Sequence, residues 1–391
     1  MLDGILVRIV SLSMRVSVPQ RTVECLIIAP PGRGNIGDQA LLESALDNTP
    51  GSAVVMVMDR EDFALPARYR GRVEFVESRN LLSGNPVLRW IDYFRFLLAA
   101  RAAKNVWLIG ADIMDGGYSS LSSIVRFSAV RGAAKVGART RVLGFSWNAH
   151  PKPSAVWSAQ RASADVELWV RDPVSYDRLT KDGVEGVQLC ADIVFARDCT
   201  SGEDSDASAW IDARRSQGKK VVVVNCSGLI GEDDGKLAQY SHLLDWLIEH
   251  SWSIVFVPHV MRPGNDDLEL IRVVSRGRDD DEIFVVARLL SPDAIHSLVS
   301  RVDAVVTGRM HLAVLSVLGG VIPITLTTQG KVEGLYRLLG CENLCIEPVS
   351  DFGQRITDVF DDALVVNRNF GRDAALLTEL QDLARVGLVT A

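Results

Sequence analysis

Basic and imidazole side chains stand where apolar runs end. In Asp303-Ala-Val-Val-Thr-Gly-Arg309-Met-His311, an arginine and a histidine follow a buried-strand pattern and open an apolar helical one. An arginine fork takes a carboxylate or phosphate through paired hydrogen bonds. A helix N-terminus is electropositive, and an imidazole can move protons near neutral pH. A lone histidine here would read as structural. Arg309 and His311 together read as an acid–base group beside an oxyanion. Further on, Pro323-Ile-Thr-Leu-Thr-Thr-Gln-Gly-Lys331 ends another strand pattern, with Lys331 at the next helix start. An unpaired lysine is electrostatically poor there, which favours an anion beside it.

Three other segments follow strand patterns. In Pro30-Pro-Gly-Arg-Gly-Asn-Ile-Gly-Asp38, Gly34 and Gly37 allow close backbone approach, while Asn35 and Asp38 can bond hydroxyls. Asp38 reads equally as a helix cap. The loop is not of the Walker type, because no Gly-Lys-Ser/Thr ends it. In Glu167-Leu-Trp-Val-Arg171-Asp-Pro173, the arginine follows the strand and the proline suits a first helical turn. Arg171 is either a cation of the binding mouth or the partner of Asp172 or a neighbouring helix. His259, in Val257-Pro-His-Val-Met-Arg262, lines the same mouth or belongs to packing.

These residues can act together only if strands carry them to one edge. From Arg21 onward, short apolar runs alternate with longer amphipathic ones, the pattern of βα units and a parallel sheet. Strands are predicted at Glu24–Ala29, Ala53–Val57, Val73–Val76, Asn105–Ile109, Arg141–Gly144, Glu167–Val170 and Val187–Cys190. Helical patterns are clearest at Asp38–Leu46, Pro86–Ala103 and Pro173–Lys181. Asp198–Lys220 is polar and charged and predicts a junction with a short helical piece at most. The alternation restarts at Val221–Asn225, with strands at Ser253–Val257, Glu282–Val286, Ala304–Thr307 and Val321–Thr325. The expected fold is α/β, with two Rossmann-like doubly wound domains facing across a cleft. Residues 1–20 form an extension, 21–200 the first domain, 201–219 a linker and 220–391 the second domain, its final helices packing back on the first. Ligands of such sheets bind beyond the carboxyl ends of the strands.

Composition narrows the function. The chain has 391 residues, of which 48% are hydrophobic and 23% charged, more than one ordinary core holds. Its net charge of −7 argues against a nucleic-acid partner. None of its six cysteines has CxxC spacing, so neither a metal site nor a disulfide framework is expected. No stretch approaches the roughly 18 apolar residues of a membrane span. The opening residues lack the basic start and clean apolar core of a secretory signal. A cytoplasmic protein is expected.

With those residues in view, the chain resembles a known family. The loop GNIGDQALLESAL, the segment WVRDPVSYDRL and the run GRMHLAVLSVLGGVIPITLTTQGKVEGLYRLLG are similar, in order and approximate spacing, to the signature regions of the polysaccharide pyruvyltransferase family. The resemblance runs from about Glu24 to the final helices. Its specific part is the Arg-x-His turn followed by a lysine. It implies a GT-B-type fold, phosphoenolpyruvate as co-substrate with no other cofactor, and a pyruvate ketal bridging two hydroxyls of a saccharide. By position it implies that His311 is catalytic and that Arg171, Arg309 and Lys331 hold the donor's phosphate and carboxylate. Gly34, Asn35, Gly37, Asp38, Asp112 and His259 are then candidates for the cleft or the acceptor. One departure concerns the acceptor side: relatives commonly carry Gly-Gly after the fourth strand, where this chain has Gly110-Ala111, followed by Asp112 and Asp115. That leaves room for an unusual acceptor, lipid-linked or free.

Two rival classes stay open: a GT-B glycosyltransferase using a nucleotide sugar, and a non-catalytic binding protein of envelope assembly. Contact with the inner face of a membrane also stays open. Pro86–Lys104 carries Trp90, Tyr93, Phe94 and Phe96 with Arg89, Arg95 and Arg101. Such a helix can rest on lipid or turn its aromatic residues to the core, and the core is the expected choice.

Overall fold

The computed structural model describes residues 23–200, 202, 204–231, 233–278, 281–327, 332–362 and 374–389. The extension 1–20 and Lys331 lie outside the described residues. Among the described residues, those of Met1–Arg33, Leu41–Arg197 and Gln381–Ala391 form one compact unit, and those of Gly34–Ala40 and Asp198–Leu380 a second. The glycine-rich loop and first helical turn after the opening strand, expected in the first domain, thus group with unit 2.

The chain begins with β1 (Val23–Ile28), α1 (Ile36–Asp47), β2 (Ala53–Val57), β3 (Val73–Glu77), α2 (Pro86–Ala102), β4 (Ala103–Ile109) and α3 (Ser120–Lys135). There follow β5 (Arg139–Phe145), α4 (Pro153–Ala162), β6 (Glu167–Val170), α5 (Pro173–Lys181) and β7 (Val187–Leu189). The strands form one sheet in the order β3-β2-β1-β4-β5-β6-β7, and every pairing in it is parallel. Helices cover both faces of such a sheet, so its strands read as unbroken apolar runs rather than alternating ones. Leu26, Ile28, Val106, Leu108, Phe127 and Phe145 are fully buried in its core. Each such side chain contributes about 1.5–3 kcal/mol by leaving water.

Helix α2 starts where Asn85 caps the N–H groups of Val87 (2.8 Å) and Leu88 (3.3 Å) and Pro86 fixes the first turn. Its aromatic set turns inward: Tyr93 and Phe96 are buried, and Trp90 and Phe94 pack against the core. Among the described residues, no helix is long and apolar enough to cross a membrane. At the far end of the chain, Arg141 donates to the carbonyls of Gly387 (2.9 Å) and Val389 (2.7 Å), within unit 1.

Unit 2 contains α6 (Ser205–Ser216), β8 (Lys220–Val224), α7 (Asp234–Glu249), β9 (Trp252–Phe256), a short hairpin of β10 (Met261–Arg262) and β11 (Asn265–Asp266), and α8 (Asp267–Ser275). It continues with β12 (Ile283–Val285), α9 (Pro292–Val299), β13 (Ala304–Thr307), α10 (Met310–Leu318), β14 (Ile324–Leu326), α11 (Val332–Leu339), β15 (Cys345–Ile346) and α12 (Phe352–Asp361). The last helix, α13 (Ala374–Val386), passes from unit 2 to unit 1. The unit 2 sheet runs β12-β9-β8-β13-β14-β15, so both sheets share the doubly wound order in which the first and fourth strands lie side by side.

The expected linker departs from its sequence reading. Its polar stretch forms a full helix, α6, because Asp204 caps the N–H of Ala207 (3.2 Å) and Ala207 and Ile211 bury one face. The charges that suggested a linker belong to the solvated face.

Candidate active site

In unit 2 the strand order reverses between β8 and β13, and residues just beyond β8, β9 and β13 converge there. Asn225 follows β8, His259 follows β9, and Gly308-Arg309 follows β13. The Thr307 hydroxyl accepts from the Arg309 N–H at 2.9 Å and sets the turn. A Cβ on Gly308 would stand 2.7 Å from both Ile230 Cδ1 and Ser227 Cβ, so only glycine lets this turn close against the β8 loop. Arg309 is the N-cap residue of α10, with its backbone extended (φ −118, ψ 118).

The Arg309 side chain is 6% exposed and meets Asp267. Its Nε lies 3.2 Å from each carboxylate oxygen. Its Nη2 bonds Asp267 Oδ1 and, at 2.5 Å, Asn265 Oδ1. Among the described residues, Nη1 makes no hydrogen bond. Asp267 has no exposed surface. Besides Arg309, it accepts from Asn225 Nδ2 (2.9 Å) and from the N–H groups of Gly228 (3.2 Å), His259 (3.0 Å) and Val260 (3.1 Å). One carboxylate therefore ties together the ends of three strands. Burying it is tolerable because a cation and several N–H donors surround it.

Sequence reasoning missed Asp267. It stands in Asn265-Asp-Asp267, which reads as a helix cap, and none of the strands predicted from sequence ends directly before it. The available signal was redundancy. Asp266 alone caps α8, bonding the N–H groups of Leu268 (2.8 Å) and Glu269 (3.3 Å), which leaves the next carboxylate without a capping task.

His259 is 2% exposed, and neither ring nitrogen has a hydrogen-bond partner among the described residues. Burial, and then the nearby charges of His311 and Arg309, push its pKa well below the ordinary 6.5. It is a neutral imidazole. Its backbone is fixed from both sides: Asp267 receives its N–H, and its carbonyl accepts from the Ile36 N–H at 3.1 Å.

That last bond belongs to the glycine-rich loop. Asn35 forms a β-bridge with Val260, and Met261 N–H donates to the Gly34 carbonyl at 2.9 Å. Gly34 has φ +70, and a Cβ there would overlap the Met261 carbonyl. A Cβ on Gly37 would overlap the His311 ring. Asn35 Oδ1 accepts from Gly37 N–H at 2.9 Å, so Asn35, not Asp38, caps α1. Asp38 is buried in the first helical turn. His311, half-buried, is the second residue of α10.

Unit 2 thus brings together Gly34, Asn35, Gly37, His259, Arg309 and His311, with Asp38 in the same turn. Arg171 and Asp112 belong to unit 1. Arg171 is 2% exposed. It pairs through Nη1 with Asp192 (3.0 Å) and donates from Nε to the Ser146 hydroxyl (2.7 Å). Asp192 is the N-cap residue of the short 3-10 helix Ile193–Ala196, so a neighbouring helix supplies that carboxylate, while Asp172 caps α5. Asp112 accepts from the Tyr118 hydroxyl at 3.2 Å. Beside it, Ala111 has φ +47, a left-handed conformation that favours glycine. The position where relatives carry the second glycine keeps the glycine-like backbone without the glycine.

The unit 2 arrangement can hold an oxyanion at the electropositive start of α10 and move a proton beside it. A family model described as polysaccharide pyruvyl transferase matches residues 35–329, from the glycine-rich loop through Arg309 and His311. The chain belongs to the polysaccharide pyruvyl transferase family. A comparison with curated protein sequences gives no match.

Solved structures place this family member among folds of the GT-B type. The UDP-GlcNAc 2-epimerase of Methanocaldococcus jannaschii is 9% identical with a TM-score of 0.57, over 93% of this chain and 98% of that one. The UDP-GlcNAc 2-epimerase of Neisseria meningitidis, bound to UDP-GlcNAc, is 10% identical with a TM-score of 0.57, over 93% and 97%. The trehalose-6-phosphate synthase OtsA is 11% identical with a TM-score of 0.51, over 94% and 96%. At such identities the likeness concerns the fold alone.

Proposed function

We propose that the protein moves the pyruvyl unit of phosphoenolpyruvate onto two hydroxyls of a saccharide, forming a ketal, in the synthesis of a cell-envelope or secreted polysaccharide. The observation that carries this proposal is the placement of Arg309 and His311 together at the N-terminus of α10, over the β8/β13 reversal, inside the region matched by the family.

Phosphoenolpyruvate carries a phosphate, a carboxylate and a carbon–carbon double bond. Arg309 Nη1, the positive end of α10 and Lys331 would hold its charges. The CH2 carbon gains a proton while the neighbouring carbon gains a bond to a sugar oxygen, and that hydroxyl loses its proton. The phosphate then departs with the electrons of its C–O bond. A second sugar hydroxyl adds to the same carbon, loses its proton and closes the ketal. His311 is the group assigned to proton transfer, as donor to carbon or acceptor from a hydroxyl. Neutral His259 offers a hydrogen bond without adding charge. Gly34, Asn35, Gly37 and Asp38 are assigned to the hydroxyl side of the site and Asp112 to the acceptor. Arg171 acts through its pair with Asp192, fixing the β6 end of unit 1.

The test is phosphate release from phosphoenolpyruvate, coupled to mass detection, across free and lipid-linked saccharides. Release with a matching mass gain on one acceptor is the expected outcome. Absence of donor binding, with retention of a nucleotide sugar, would instead identify a glycosyltransferase.

A further inference from the structure

Among the described residues, five arginines are buried: Arg126, Arg141, Arg171, Arg197 and Arg309. Four of them face a carboxylate, in the pairs Arg141–Glu167, Arg171–Asp192, Arg197–Glu43 and Arg309–Asp267. Arg126 does not. It is 7% exposed, in α3, on the face that also buries Ser123, Phe127, Val130 and Ala133. Its Nη1 donates to the carbonyl (3.2 Å) and the hydroxyl of Ser122, one turn back. Its Nε and Nη2 make no hydrogen bond among the described residues. Burial without a counter-charge pulls its pKa down to about 10. A buried ion without a partner is costly, and a protein retains one where a ligand supplies the opposite charge.

The position agrees. Helical side chains lean toward the N-terminus of their helix, and the bond to Ser122 shows Arg126 doing so. Helix α3 starts at the carboxyl edge of the unit 1 sheet, after the loop that follows β4. The Ser123 hydroxyl bonds the Met114 carbonyl of that same loop. Strand β4 lies beside β1, where the order of the sheet reverses and doubly wound folds take their ligands. The positive end of the helix adds to the arginine's charge rather than offsetting it.

We propose that Arg126 marks a second binding site, in unit 1, that recognises an oxyanion on the ligand of that unit. An arginine fork takes carboxylate or phosphate alike. Identifying this ligand as the saccharide acceptor rests on the function proposed above. The oxyanion is then the carboxylate of an acidic sugar or the diphosphate of a lipid carrier.

Calorimetric titration of the full chain with glucuronate and with inorganic pyrophosphate tests this. At least one probe should bind the wild type, and Arg126→Gln and Arg126→Lys should each weaken it about tenfold or more. Glucuronate responding alone identifies an acidic sugar; pyrophosphate responding alone identifies a carrier. Without ligand, Arg126→Met should melt at or above the wild-type temperature, because the unpaired cation is gone. A marked loss of melting temperature in that variant would assign Arg126 to the fold and overturn the proposal. So would equal binding by wild type and both polar variants, or no binding of either probe. Phosphoenolpyruvate titrated in parallel separates the two claims: its failure to bind wild type sinks the proposed function and leaves the anion site standing.

Discussion

Gly37 lies against His311 so closely that a Cβ on the glycine would overlap Nδ1 of the imidazole and stand 2.7 Å from Cγ. The glycine-rich loop is therefore one wall of the histidine's seat, and unit 2 contains both residues. Gly37→Ala must displace one or the other. Overpacking of this kind costs about 1–3 kcal/mol. Melting should fall by a few degrees, while phosphate release falls more than tenfold because the ring has moved. Wild-type release by Gly37→Ala would show that the contact does not position His311.

Asp267 holds Arg309 and three strand ends. Asp267→Asn leaves a buried guanidinium without its counter-charge, a loss of about 3–5 kcal/mol. Arg309→Met should cost less, because Asp267 keeps the N–H groups of Gly228, His259 and Val260. The double variant should be more stable than the sum of the single losses, measured by urea unfolding. Strict additivity would mean the pair does not act as a unit.

His259 makes stability depend on pH. Its pKa in the fold is depressed, so the native ring stays neutral while the unfolded chain's imidazole protonates near 6.5. Below that pH the unfolded state binds the extra proton, and stability is lost as pH falls toward the native pKa. The slope is about 1.4 kcal/mol per pH unit for one group. Urea unfolding of wild type and His259→Phe between about pH 7.5 and pH 5 should give curves that diverge on the acid side. Parallel curves would contradict a neutral buried His259.

Ala111 holds a left-handed backbone at φ +47. That conformation costs a residue with a Cβ about 1–2 kcal/mol, partly offset by glycine's greater freedom in the unfolded chain. Ala111→Gly should therefore stabilise unit 1 by up to about 1 kcal/mol, read as a higher urea midpoint. A lower midpoint would mean the Ala111 methyl packs well enough to outweigh the strain.

Both sheets were legible because parallel strands buried on two faces read as runs such as Val221-Val-Val-Val224. Arg309, His311, His259 and the glycine-rich loop were legible because each comes directly after such a run. Asp267 was hidden by its place in a capping sequence. Arg126 was hidden in Ser-Ile-Val-Arg-Phe-Ser, where a mid-helix arginine reads as a solvated face until its neighbours show which side is buried. The partner of Arg171 was hidden by distance, since Asp192 lies 21 residues away along the chain. Helix α6 was misread because its charges are dense and its buried face is narrow.

The central claim is that His311 moves the proton in a transfer from phosphoenolpyruvate. The most direct measurement pairs donor binding with phosphate release in wild type and His311→Ala, using an acceptor that supports turnover. The expected result is a folded variant that still binds phosphoenolpyruvate through Arg309 and releases phosphate about a hundredfold more slowly or worse. Near-normal release from the folded variant would remove His311 from the chemistry and contradict the mechanism.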